Sequence, residues 1–402
     1  MTADVIVIGL GAMGSATLYQ LARRGVRVLG IDRFRPPHGE GSSHGDTRIT
    51  RRGVGEGAVY GPLAVRSHAI WRDLEAATGL ELLRECGFLA IDGSGGAGVM
   101  HGKPDFMATT LASAAAQGLA HEELGIAEAR SRFPQFALRG HERVYFEPEG
   151  GLVFPERCIT AQLDQAARLG ARIRTGEAVV AIVRDGDGVA VTTDQGRYRA
   201  DRVVLAAGGW TPGLAPRALG GLQLLRQVLH WYPPEDPGLW HVDRCPTFMW
   251  MHGATPADSF YGFPLVPGLP TAAVKVAQEQ YARIAPAPDA IDRAVAADEA
   301  DAMTRTHIAG RLNGLGGTSV RDLVCLYTFS PDGDFIIDHD PHNDRLLLLS
   351  ACSGHGFKHS AAIGDHVAGV LADGAPLLPA FRLGRPGVAD TLPPRPARAV
   401  ES

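Results

Sequence analysis

The hydrophobic pattern opens with a β-branched run from Asp4 to Ile8 that breaks at glycines. It resumes at helical spacing through Ala16, Leu18, Leu21 and Ala22, and returns as a second apolar run from Val26 to Ile31. This order predicts strand, helix, strand. A polar stretch rich in Gly, Ser, His and Arg, His38 to Gly57, reads as a loop, the kind of segment in which binding residues gather. Pro62 then opens a predicted helix that places Leu63, Ile70, Trp71 and Leu74 toward a core. After a mixed stretch, Cys158 to Leu169 reads as a helix. Ala178 to Val183, Val189 to Thr193 and Arg197 to Leu205 read as strands, the first two joined by an Asp-Gly turn. Further strands are expected at Leu222 to Tyr232, Thr271 to Ala277, Leu323 to Phe329 and Leu346 to Ser350, with a helix within Pro288 to Leu312 and another after Gly356. No linker separates these blocks, so two domains are expected to be threaded through one another.

Composition narrows the class. With 45% hydrophobic and 21% charged residues over 402 positions, the chain can bury a large core. Thirty-nine Lys and Arg against 44 Asp and Glu, a formal charge of -5, give no basic face for nucleic acid. The longest apolar runs, such as Leu346 to Leu349, fall far short of the roughly 18 residues of a membrane span. The N-terminus lacks a basic leader region, and five scattered cysteines fit a reducing cytoplasm. Fifty glycines exceed the usual share of about 7% and direct attention to places where backbone approaches a ligand.

Gly9-x-Gly11-x-x-Gly14 lies between the first predicted strand and helix, and Asp32 closes the second strand. In this context the first glycine makes a tight turn and the second admits a pyrophosphate to the helix N-terminus. The third lets helix and strand pack closely, and the acid can accept ribose hydroxyls. These residues favour a dinucleotide without separating FAD from NAD. Downstream, Gly41 to Arg51 concentrates His44, Arg48 and Arg51, with two arginines spaced to share a face that suits a carboxylate or an electron-rich ring. In Ser353-Gly-His-Gly-Phe-Lys358 the lysine falls in the first turn of a predicted helix, where a cation is unfavourable unless an anion accompanies it. Cys352, His355, Asp338 and His342 do not assemble a usual zinc set, so no metal is expected.

Taken together, several motifs resemble the flavoprotein family of monomeric sarcosine oxidase and N-methyltryptophan oxidase, to which fructosyl-amino-acid and pipecolate oxidases are related. They are Gly9 to Gly14, His44-Gly-Asp-Thr-Arg48-x-x-Arg51, Gly55-Glu-Gly57, Tyr261-Gly-Phe-Pro264 with Lys275, Cys325-x-Tyr327-Thr, Asp334-Phe-Ile-Ile-Asp338 and Ser353 to Lys358. The resemblance implies an α/β fold of two domains. A Rossmann-like FAD-binding domain (1–84, 151–216 and 322–402) would interleave with a mixed-sheet substrate domain (85–150 and 217–321). It implies FAD bound covalently through Cys325, hydride transfer from the carbon beside a secondary amine to flavin N5, imine hydrolysis, and reduction of O2 to hydrogen peroxide. It also implies a small amino-acid substrate and a monomer.

Carried over position by position, the cofactor residues would be Gly9, Gly11, Ala12, Met13, Gly14, Asp32, Arg33, Ser42, Thr47, Arg48, Val179, Ala207, Gly208, Trp210, Cys325, Gly354, Gly356, Phe357 and Lys358. Lys275 would promote the reaction with O2, with His44, Arg48 and Tyr327 completing the catalytic set. Arg51 and Lys358 would clamp the substrate carboxylate, and Tyr261 and Tyr327 would line its pocket. Two positions depart from the relatives: Glu279 stands where they carry a histidine, and Val54 where they carry a tyrosine. The smaller Val54 is expected to leave room for a side chain larger than hydrogen, and Glu279, if it faces the pocket, to favour an N–H donor or a positive charge there. The alternatives are oxidation of glycated (fructosyl) or cyclic amino acids of pipecolate or proline type, a nicotinamide-dependent dehydrogenase, and a catalytically idle nucleotide-binding protein.

Overall fold

In the computed structural model, which describes residues 2–388, the first strand, Thr2–Ile8, runs parallel to both of its neighbours, Val28–Asp32 and Arg197–Leu205. The sheet extends through Arg172–Thr175 on one side. On the other lie Asn343–Ser350 and the antiparallel hairpin Val179–Asp185 with Gly188–Thr193. The parallel core is almost wholly apolar because it is covered on both faces, as parallel sheets require. Helices Ala12–Arg23, Tyr60–Thr78, Pro155–Arg168 and Ser360–Ala368 pack together on one of those faces. Close approach sets the residue type at one crossing: a Cβ on Gly364 would lie 2.5 Å from the carbonyl carbon and the Cβ of Ala16.

A second sheet is mostly antiparallel. Its order runs Ile284–Ala285, Gln223–Tyr232, Val274–Gln278, Ser259–Phe263, Thr247–Met251, Phe88–Asp92, Arg143–Glu147 and Glu122–Leu124. Strand Arg321–Phe329 pairs with Gln223–Tyr232, placing Gln227 opposite Cys325 and Leu225 opposite Tyr327. Strand Phe88–Asp92 is buried along its whole length, with Phe88 and Ala90 in one apolar cluster and Leu89 and Ile91 in another. A small third sheet, Arg48–Thr50, Gly151–Val153 and Leu83–Arg84, lies where chain segments pass between the two.

The expected mixed architecture is present: a parallel-cored sheet with Rossmann-like order beside an antiparallel-rich one. One local expectation needs correction, and one mixed stretch resolves into elements. The stretch His38 to Gly57 is not all loop, because Arg48–Thr50 pairs with Gly151–Val153. The mixed stretch before Cys158 holds Phe88–Asp92, helix Phe106–Ala116 and Arg143–Glu147. Short strands buried on both faces lack the alternation that would have marked them. Residues 389–402, part of the expected cofactor domain, lie outside the described residues. Among the described residues no helix is long and apolar enough to cross a membrane, and no group of three or more His, Cys, Asp or Glu is placed to hold a metal ion.

Gly364→Ala should destabilise the fold by about 1–3 kcal/mol, since helices Ala12–Arg23 and Ser360–Ala368 must separate to admit the methyl. The check is the urea midpoint. An unshifted midpoint would mean that this contact is not tight in solution.

Candidate active site

A cleft opens at the carboxyl ends of the parallel strands, where open α/β sheets bind their ligands. Gly9, at φ 84°, turns the chain from strand into helix, and a Cβ there would sit 2.6 Å from the Ala206 carbonyl oxygen. Gly11, Ala12 and Met13 line the cleft at the helix N-terminus. Gly14 lies behind, where a Cβ would fall 1.7 Å from the Gly9 carbonyl oxygen, so only glycine lets helix and strand meet. The Asp32 carboxylate accepts the Leu10 N–H at 2.7 Å and the Phe34 N–H at 2.7 Å, which fixes it at the cleft with lone pairs to spare. Arg33, Ser42, Arg48 and Val179 also line the space, as do Ala207, Gly208 and Trp210. Gly354, Gly356 and Phe357 complete it from the C-terminal region.

Behind Arg48 lies a thiol corner. Cys325 Sγ is 3.6 Å from His44 Nε2 and 3.5 Å from Arg48 Nη2. Burial alone would push the thiol up, but the charges of His44 and Arg48 outweigh it and hold it at about 6. Arg48 is itself anchored, donating to the carbonyls of Thr47 and Ser42 at 2.8 Å each. The Gly45 and Asp46 N–H groups donate to Glu156 in the first turn of helix Pro155–Arg168. Lys275, on strand Val274–Gln278, closes this corner: its Nζ donates to the carbonyls of Gly45 and Thr47 at 2.7 Å each and stands 3.9 Å from the centre of the Phe263 ring. Burial, then the nearby Arg48, pulls its ammonium well below the usual lysine range.

A second cluster is built around Glu56. Arg51, fully buried, donates through Nη2 to both Glu56 oxygens at 3.0 Å. Lys358 Nζ donates to Glu56 Oε1 at 2.7 Å. Glu56 is thus the anion that a lysine in that turn requires. Burial would raise the Glu56 carboxyl, yet Arg51 and Lys358 hold it well below the usual range, and burial draws Lys358 down to about 8. The turn after Arg51 is pinned by Glu147, which accepts the N–H groups of Arg52 and Gly53. The Arg51 guanidinium lies over Phe88 and Phe106, and its Nε and Nη1 have no hydrogen-bond partner. Tyr261 and Tyr327 meet at 3.4 Å between their hydroxyls, and burial pushes Tyr261 up to about 12.

The two departures from the relatives both lie in the interior. Val54 is fully buried in the apolar core with Tyr60 and Trp71. Glu279 is also buried, and both of its oxygens meet His101, Oε1 in an ion-pair contact without hydrogen-bond alignment. Oε1 lies 2.7 Å from His101 Nε2, while Oε2 accepts the His101 N–H at 2.9 Å and the Tyr281 hydroxyl at 2.8 Å. In the sequence Glu56 stands within the Gly55–Gly57 motif with no role marked out for it, and His101 and Tyr281 belong to no motif. A lone acid between two glycines just after an arginine was the available sign for Glu56; nothing local marked the other two.

The profile of the family described as FAD dependent oxidoreductase matches residues 4–370. A monomeric sarcosine oxidase of Streptomyces avermitilis is 36% identical over 377 residues, 93% of this chain and 94% of that one. An N-methyl-L-tryptophan oxidase of Salmonella arizonae is 32% identical over 391 residues, 96% of this chain and 99% of the relative. Among solved structures, NikD, described as an unusual amino acid oxidase essential for nikkomycin biosynthesis, superposes with a TM-score of 0.81 at 26% identity, covering 94% and 95% of the two chains. With its dinucleotide cleft, thiol corner and paired cations in place, the chain belongs to the FAD-dependent oxidoreductases, the family of those sarcosine and N-methyltryptophan oxidases.

Proposed function

We propose that the protein oxidises an α-amino acid bearing an N-methylated or ring secondary amine, with O2 as acceptor and an imine and hydrogen peroxide as products. The observation that carries this reading is the buried Arg51–Lys358 pair, with one edge of Arg51 unpartnered, close to a dinucleotide cleft. A fork-shaped cation desolvated in this way suits a carboxylate. FAD, when bound, supplies the acceptor for the hydride beside the amine and the route for its electrons to O2. The residues fit that group: Gly9, Gly11 and Asp32 would hold its adenosine diphosphate half, and Cys325, the thiol held low, would tether its ring. Arg51 and Lys358 orient the carboxylate, while Tyr261 and Tyr327 border the substrate. Lys275, bound to the loop that carries His44 and Arg48, offers an amine whose proton is easily lost and regained, suited to negative charge developing as O2 is reduced. We further infer a monomer that works in the cytoplasm, from the likeness to a monomeric sarcosine oxidase and from the scattered cysteines.

Anaerobic mixing with N-methyl, cyclic and glycated amino acids should bleach the flavin for at least one secondary-amine class. No bleaching by any of them would overturn the reading. Arg51→Ala should weaken binding of such substrates by a factor of about 30 or more, the loss expected when one partner of a desolvated charged pair is removed.

The tether is tested by pH. A thiol held at about 6 is a thiolate above that value and is lost as pH falls through it, so covalent uptake of FAD by apoprotein should be half-maximal near pH 6. His44→Gln should shift that midpoint upward, toward the ordinary thiol value of about 8.5. Flavin that leaves with the supernatant on acid precipitation of the wild type would refute the tether. Lys275→Met should slow the O2 half-reaction about a hundredfold, on the order of 3 kcal/mol, while substrate reduction slows far less. Stopped-flow traces of the two halves separate these effects, and equal slowing would reassign Lys275 to structure.

A further inference from the structure

His101 belongs to no element of the mechanism above, yet it is 3% exposed and held on every side. It sits at φ 54° in the turn closed by hydrogen bonds between Met100 and Lys103. Its N–H and its Nε2 both meet Glu279, at 2.9 Å and 2.7 Å, while Nδ1 lies 3.1 Å from Glu56 Oε1. A Cβ on Gly354, a cleft residue, would lie 2.9 Å from the Tyr327 ring, 3.1 Å from Glu279 and 3.1 Å from the His101 ring. The imidazole and the carboxylate thus stand beside the tyrosine that borders the substrate, one carboxylate away from Arg51 and Lys358.

We propose that His101 is a specificity-determining residue, which by pairing its charge with Glu279 turns this wall of the pocket against cationic side chains and in favour of neutral ones. The argument is a charge count. Glu56 and Glu279 supply two negative charges; Arg51 and Lys358 supply two positive charges, and an imidazolium at His101 makes three. Two flanking carboxylates favour that imidazolium against burial, which opposes it. The bound substrate's carboxylate brings the cluster to neutrality, whereas an ammonium on its side chain would add an uncompensated positive charge beside a carboxylate already paired with the imidazolium. Without His101 the relation reverses. Glu279 would remain buried with the Tyr281 hydroxyl as its remaining side-chain partner, and a buried carboxylate short of partners draws a cation strongly. Specificity here lies in the repulsion that His101 provides as much as in any attraction.

This inference rests on the amino-acid reading above, and its test separates the two. The α-hydroxy analogues of tryptophan and lysine cannot be oxidised as amines, and their dissociation constants on the flavin-loaded protein are read by calorimetry. Wild type should bind the tryptophan analogue about tenfold or more tighter than the lysine analogue. His101→Ala should move that ratio at least tenfold toward the lysine analogue, and adding Glu279→Gln should cancel the shift. His101→Gln, which keeps a donor to Glu279 and loses the charge, should shift the ratio in the same direction by less and serves where the alanine variant fails to fold. A ratio unchanged in both His101 variants, with binding intact, overturns the inference alone. Failure of both analogues to bind wild type, with no bleaching by any amino acid, overturns the substrate reading and the inference with it.

Discussion

The pairing of Arg321–Phe329 with Gln223–Tyr232 is the constraint on which the site depends. Nine consecutive register pairs, from Gln223–Phe329 to Trp231–Arg321, hold the strand that carries Cys325 and Tyr327 in the antiparallel-rich sheet. The same strand reaches the other half of the molecule through its neighbours. Ser42 donates to the Leu326 carbonyl, and the Ser353 N–H donates to the Thr328 carbonyl at 3.0 Å. A cleft built on one sheet therefore receives its thiol and its tyrosine from the other. Because side chains alternate along a strand, Cys325 and Tyr327 share a face, and a slip of one residue would remove both together.

Charge is the second organising term. Arg51, Glu56, Lys358, His101 and Glu279 are each no more than 4% exposed. Each isolated charge would cost several kcal/mol to bury, so the cluster persists because every member has an opposite neighbour. The thiol corner follows the same logic with one anion: His44 and Arg48 make a thiolate tolerable in a place where burial by itself would forbid it. Cys158 and Cys245, buried without such neighbours, are pushed the other way. The same residue type is chemically primed in one setting and inert in the others.

Much of the parallel-cored half was legible in the chain because its signals are local. Strand, glycine turn, helix and Asp32 fall within the first thirty-two residues or so, and Gly9 and Gly14 there are demanded by contacts within the turn or with the adjoining strand. The antiparallel-rich half was less legible. Phe88–Asp92 and Thr247–Met251 are five-residue strands buried at every position, so the alternation that identifies a strand is absent. The importance of Lys358 could be inferred from its awkward position at a helix start, although its anion could not be named.

The sequence by itself determined that a dinucleotide would lie at the first strand–helix turn and that cations would gather after it, because glycine conformation and helix-end electrostatics act over a few residues. Tertiary structure alone decided which partners those cations take. Glu56 and Lys358 are 302 positions apart, and His101 and Glu279 are 178 apart. Only the passage of the chain between two sheets brings them within hydrogen-bond reach. That passage also settled the two substitutions that looked alike on paper: Val54 faces the apolar core, while Glu279 turns inward to a histidine. Which face a side chain presents depends on the register and crossing of strands distant in sequence, a relation that no local pattern encodes.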